Sequence, residues 1–351
     1  MKQQIKPLIV GVMLALVVPV VSRAQAPSTP ADACTAEAKN ALYAKFLANR
    51  KGKTAENPTG DQEVAYNTTK EYKALCPADQ SAPAEYMAKW GASYEVESRK
   101  TQFLSAYDKK NYAEMMRLGK QVLADDPAYV RGYILLGIVG YLASAGGNNS
   151  LSAESMPYAK KAIELIESGK TPDDWKPYAG KDDALAWLNS SMAHYLNASP
   201  SEALPYLLKA ARYEGLFKTN PLTYVSIAQA YEVGYAKQGE NYKQYADKPE
   251  SPEQKLALQN IYQTVDRIID AYARAIALAG TDPKLQSRKA EWTQSLTDMY
   301  KFRNNNSDAG LTQLLSGVLQ KPLPDTPTPI TTLPTPPAPV QTPTPATPAK
   351  P

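Results

Sequence analysis

His194 is the single histidine in this 351-residue chain, and histidine is the side chain whose ordinary pKa suits proton transfer near neutrality. One histidine excludes multi-histidine metal sites and leaves His194 as the one imidazole on which any histidine-based triad could be built. No G-x-S-x-G elbow, H-E-x-x-H zinc helix or G-x-x-x-x-G-K-[ST] phosphate loop occurs. Adjacent carboxylates stand at Asp125–Asp126, Asp173–Asp174 and Asp182–Asp183. Each pair falls at a predicted helix end, where capping and the helix dipole account for acidic residues without catalysis. The reading is of a chain with no catalytic residue, no metal ligand and no cofactor. A hydrolase would need two distant carboxylates converging in a cleft.

The other reactive pair is Cys34 and Cys76. Leu42, Tyr43, Phe46 and Leu47 lie at helical spacing after Cys34. A second helix runs from Asp61, its cap, to Cys76, where Pro77 stops it. "RKGKTAENPTG" between them has loop composition. The two arms are equal in length, so an antiparallel hairpin brings the cysteines level at its open end, and a disulfide is expected. Closing that loop stabilises the hairpin by about 4 kcal/mol on a chain-entropy argument. Free thiols or a redox pair are the alternatives, but the sequence has no C-x-x-C.

A disulfide implies an oxidising compartment, and the N-terminus agrees. "MKQQIKPLIVGVMLALVVPVVSRAQA" carries Lys2 and Lys6, an apolar run from Leu8 to Val21 and a small-residue end. That is the layout of a secretory signal peptide cleaved after Ala24 or Ala26, and the run is short for a membrane span. Export to the periplasm or outside is expected, with no transmembrane anchor after cleavage. Cys34 lies too far past the apolar run for a lipoprotein acylation site. The 39 basic and 35 acidic residues come to about +1 without residues 1–24, so the overall charge gives no reason to expect nucleic acid.

At the other end, 12 of the 31 residues from 321 to 351 are Pro and 8 are Thr. Such a segment is expected to stay disordered and extended, adding nothing to the fold.

Between the ends the apolar residues repeat at three and four spacing. "TYVSIAQAY" sets Tyr224, Ile227, Ala228 and Tyr231; "GYILLGIVG" sets Tyr133, Leu136, Gly137 and Gly140. The small residue lets a second helix approach while the aromatics fill the space beside it. "NYAEMMRLGKQVLADDP", "SEALPYLLKAA" and "IIDAYARAIALAG" have the form of second helices. In the third unit Trp187 takes the first aromatic position, Ser190 and Ser191 the aliphatic and small ones, and His194 the second aromatic, a packing role. Ser199 is the expected cap of the following helix, with Pro200 in its first turn.

These patterns resemble the tetratricopeptide repeat, over about 200 residues of the chain. The resemblance implies an all-α fold, a solenoid of helical hairpins in about four units. The layout read is a signal peptide over 1–26, the hairpin over 27–90, repeats over 91–303, a capping helix over 304–320 and the tail over 321–351. Residues 234–260 form a long insert in the fourth unit. By analogy with the family, a concave groove would be lined by Ile134, Ile138, Tyr141, Leu142, Leu188, Met192, Tyr195, Val225 and Gln229, unless these simply pack. The function implied is a non-catalytic scaffold or adaptor in the cell envelope holding another envelope protein or peptide. The alternative is small-ligand or glycan binding in support of nutrient uptake, with Trp175, Trp187 and the Tyr-rich insert as platforms.

Overall fold

The computed structural model describes residues 33–333, so the signal-peptide reading lies outside the described residues. Among those residues the chain is all-helical, with thirteen α-helices and no strand. No described helix is long and apolar enough to cross a membrane. The fold divides into two compact units between Ser98 and Arg99.

The first unit begins with α1 (Ala36–Asn49) and α2 (Gln62–Leu75). Thr35 caps α1, accepting from the Ala38 N–H at 3.2 Å, and Asp61 caps α2, accepting from the Glu63 N–H at 2.8 Å. These caps satisfy amides that helix geometry leaves unpaired. The Cys34–Cys76 disulfide closes the open end, with Cα atoms 5.3 Å apart. Asp79 fastens the same end, accepting from the Tyr72 hydroxyl at 2.7 Å and pairing with Lys39 at 3.0 Å. The hairpin does not stand alone. The first part of α3 (Ala82–Asp108) adds Met87, Tyr86 and Trp90 around the fully buried Phe46, whose ring meets Tyr86 and Trp90 edge-on. The boundary read at 90/91 therefore falls inside a continuous helix.

The second unit continues from the end of α3 through α4 (Tyr112–Asp125), α5 (Val130–Ala145), α6 (Ser152–Glu167), α7 (Lys181–Tyr195) and α8 (Pro200–Arg212). The one-turn α9 (Leu216–Thr219) leads into α10 (Pro221–Tyr242), α11 (Pro252–Ala279), α12 (Gln286–Arg303) and α13 (Leu311–Gly317). Helices adjacent in sequence pack together, as α5 on α6, α7 on α8 and α10 on α11, and α5 also packs on α7. Glycine makes the α5–α6 approach possible. A Cβ on Gly137 would stand 2.6 Å from Ala159 Cα and 2.7 Å from its amide nitrogen. α6 and α8 also share the string Pro-Tyr-x-x-Lys-Ala at 157–162 and 205–210, with both prolines exposed and Ala162 and Ala210 buried. At the end of the unit Trp292 and Leu296 of α12 are buried, and Val318, just past α13, is fully enclosed.

Three readings need correction. Residues 234–260 are not an insert set apart from the helices: α10 runs on to Tyr242 and α11 starts at Pro252, where Ser251 caps it by accepting from the Gln254 N–H at 3.2 Å. Ser199 stands at the N-cap of α8, but its side chain makes no capping bond; its carbonyl takes the Glu202 and Ala203 amides instead. The tail does contribute to the fold from Lys321 to Leu333, where its carbonyls are taken up by side chains of α11. Residues 334–351 lie outside the described residues.

Candidate functional site

A groove of about 440 Å³ opens along α7 and α10 in the second unit. α7 contributes Ser190, Ala193 and His194, with Asn197 in the turn just past its end, and α10 contributes Ser226, Gln229, Ala230 and Val233. Each set lies at positions i, i+3, i+4 and i+7, one stripe down one helix face. The two stripes are the same positions shifted by 36 residues. Tyr141 of α5 closes one side, and Ala203, Leu207, Ala210 and Phe217 form the apolar floor.

None of the lining residues carries a full charge when His194 is neutral. Hydroxyls and carboxamides on a hydrocarbon floor offer hydrogen bonds in both directions and a surface for apolar atoms, with no ion to pair. The imidazole of His194 stands edge-on to Tyr141 and Tyr195, with ring centroids 5.4 and 5.8 Å away. Burial lowers its pKa, which favours the neutral ring.

Behind the lining, Tyr195 fixes α7 to α5. Its hydroxyl accepts from the Tyr141 N–H at 2.9 Å and donates to the Gly137 carbonyl at 2.9 Å. Those two backbone groups are ordinary helical partners, so the phenol bridges a rung of the α5 ladder. Burial pushes the Tyr195 pKa up to about 12, keeping this hydroxyl protonated. The neighbouring amide, Gly140 N–H, donates to the buried Ser155 hydroxyl of α6 at 3.0 Å.

Of the nine residues expected to line a groove, Tyr141 and Gln229 do so. Ile134, Ile138, Leu188, Met192 and Val225 are instead core residues, each under 5% exposed. Tyr195 is the bridging phenol, and Leu142 is half-buried against the core. For Leu188, Met192 and Tyr195 of α7 the cause is a one-residue error of register. Matching His194 to Tyr231 equates positions 37 apart, whereas burial matches Tyr195 to Tyr231, Leu188 to Tyr224 and Ser191 to Ile227, 36 apart. One residue turns a helix by about 100°, enough to exchange the core face for the groove face. His194 thus lines the groove as well as packing on its neighbours. Ser190, Ala193, Asn197, Ser226 and Ala230 were missed; alignment on Tyr195 would have moved the Gln229 match onto Ala193. The suggested platforms lie elsewhere: Trp187 is wedged between Tyr141 and Phe217, and Trp175 packs against the core.

Comparison with protein-family models, curated proteins and solved structures returns no match for this chain.

Proposed function

We propose that this chain is a non-catalytic helical-repeat scaffold of the tetratricopeptide type, exported to the cell envelope, that holds an uncharged polypeptide segment in the groove of α7 and α10. The observation that carries this reading is the paired stripe of Ser190, His194 and Asn197 with Ser226, Gln229 and Val233, uncharged and lining one groove. Hydroxyl and carboxamide groups satisfy the backbone of an extended segment, and the floor of Ala203, Leu207 and Phe217 takes its apolar side chains. The disulfide supports export, since such bonds persist in oxidising compartments.

A photo-crosslinking residue at Gln229 or Val233, both exposed, tests it in the source cell. A discrete polypeptide adduct is expected, lost on Ser190→Asp or Ser226→Asp and absent when the crosslinker replaces Gln294 of α12. Equal adducts from all three positions would defeat the reading. The second reading, a small uncharged ligand or glycan, is favoured by the floor and the ring edges of Tyr141 and His194. It predicts a thermal shift with that ligand and no polypeptide adduct.

A further inference from the structure

The tail from Lys321 to Leu333 lies extended over the second unit, away from the groove described above. Leu323, Pro324, Pro327, Ile330 and Leu333 are half-buried, and the residues between Pro324 and Leu333 are exposed apart from Pro327 and Ile330. Burial at every third residue from Pro324 is the period of polyproline II, which has three residues per turn and leaves its backbone unpaired. Proline lacks an amide hydrogen, so the hydrogen bonding such a segment offers is mostly carbonyl oxygen. The surface beneath supplies donors. On α11, Asn260, Arg267 and Arg274 are spaced seven apart, one stripe at two-turn intervals of about 10.5 Å. Arg274 donates to the Lys321 and Pro322 carbonyls at 3.0 and 2.9 Å, and Arg267 to the Asp325 carbonyl at 2.6 Å. Asn260 takes both backbone groups of Ile330, donating at 3.0 Å and accepting at 2.7 Å. Arg212 of α8 pairs with the Asp325 carboxylate at 2.5 Å.

This is a built seat, because Arg274 is 5% exposed at its side chain and otherwise pairs with Asp270 at 2.6 Å. Its Nη2 group needs the tail carbonyls there, since burying those donors unpaired is costly. Most of these contacts read main chain, so they recognise a conformation and leave side-chain identity to the half-buried positions. Those positions spell Leu-Pro-x-x-Pro-x-x-Ile at 323–330. The same pattern returns ten residues later, with valine at the end: Leu333, Pro334, Pro337 and Val340. The chain thus carries two copies of the segment and one seat of this kind among its described residues.

We infer that the face of α8 and α11 is a docking groove for extended proline-rich segments of the form Leu-Pro-x-x-Pro-x-x-[Ile/Val], occupied in cis by residues 323–330, and that its ligand in trans is residues 333–340 of a second copy of this chain. The resident segment competes at the high effective concentration of a tethered ligand, so trans docking grows as the resident contacts weaken.

The test uses the full chain and a fluorescent peptide of residues 331–342. In a chain carrying Leu323→Asp and Asp325→Lys the peptide should bind at least about tenfold more tightly than in the wild type. Adding Arg267→Ala should reverse that gain, and a peptide with aspartate at positions 333 and 340 should not bind. The weakened chain should also sediment as a concentration-dependent oligomer that Leu333→Asp returns to monomer. The wild-type chain gives a second measure that needs no variant: excess peptide should speed hydrogen exchange at the Ile330 amide, which Asn260 holds. Absence of binding to the weakened chain, together with unchanged Ile330 exchange in the wild type, overturns the inference. So does binding indifferent to Arg267→Ala. Peptide binding without self-association would move the occupant from a second copy to another polypeptide and overturn that part.

Discussion

Gly137→Ala is a one-carbon change whose cost follows from where the new atom would lie. The added Cβ falls 2.6 Å from Ala159 Cα and 2.7 Å from its amide nitrogen, with Leu188 Cδ2 at 3.0 Å. The two nearest obstacles are backbone, so no side-chain rotation relieves them and α5 must move away from α6. Overpacking of this kind costs about 3 kcal/mol, at the upper end of the usual range, because main chain has to yield. Alanine returns about 1 kcal/mol through its helix propensity, leaving a net loss of about 2 kcal/mol. For a unit of this size that lowers the melting temperature by roughly 4–8 °C. Gly239→Ala in α10 is the matched control, since a Cβ there meets nothing within 4 Å. It gains the same propensity without the collision and should raise the melting temperature by roughly 2–4 °C. Both variants are read by circular dichroism melts of the full chain, with urea titration to check that the slope is unchanged. A Gly137→Ala protein as stable as the Gly239→Ala protein would refute the claim that the glycine is there for close approach.

Three further outcomes are expected. Replacing Cys34 and Cys76 by serine frees the loop between them, so amides of α1 and α2 should exchange up to about 10³-fold faster, matching about 4 kcal/mol, while those of α10 and α11 stay unchanged. Burial lowers the His194 pKa, so the unfolded chain takes up its proton first as pH falls below about 6.5. The stability tied to a neutral His194 is complete above that pH and declines until the folded pKa is passed; a His194→Gln chain should melt with a weaker acid dependence over that interval. Tyr195→Phe should cost only about 1 kcal/mol by urea denaturation, because the Tyr141 amide and Gly137 carbonyl can close on each other when the phenol hydroxyl is gone.

Local chemistry in the sequence was a sound guide where one residue type settles one geometry. Asp61 as a cap, Pro77 as a stop and two cysteines on equal arms led to the α1–α2 hairpin and its disulfide. Helix faces were harder. Trp187 and His194 are aromatic and sit at the expected spacing, so they attracted the alignment, while Tyr195, one step along, makes the hydrogen-bonded contact with α5. Aromatic character does not separate a residue buried by its own hairpin from one resting at a groove edge; that distinction comes from α5, distant in sequence. The tail misled for a related reason. Proline-rich composition reports that a segment cannot pair with itself, and says nothing about a stripe of Asn260, Arg267 and Arg274 waiting to pair with it.

The phenol of Tyr195 also acts as a ruler. It is anchored at one end on α7 and held at the other by two backbone groups of α5, so sliding either helix by one residue would take the hydroxyl away from both. Distance and register between α5 and α7 are therefore set by a rigid ring of fixed length. Among the described residues no side-chain hydrogen bond joins α10 to α7, so the span between them is where an occupant larger than the resting groove would make room.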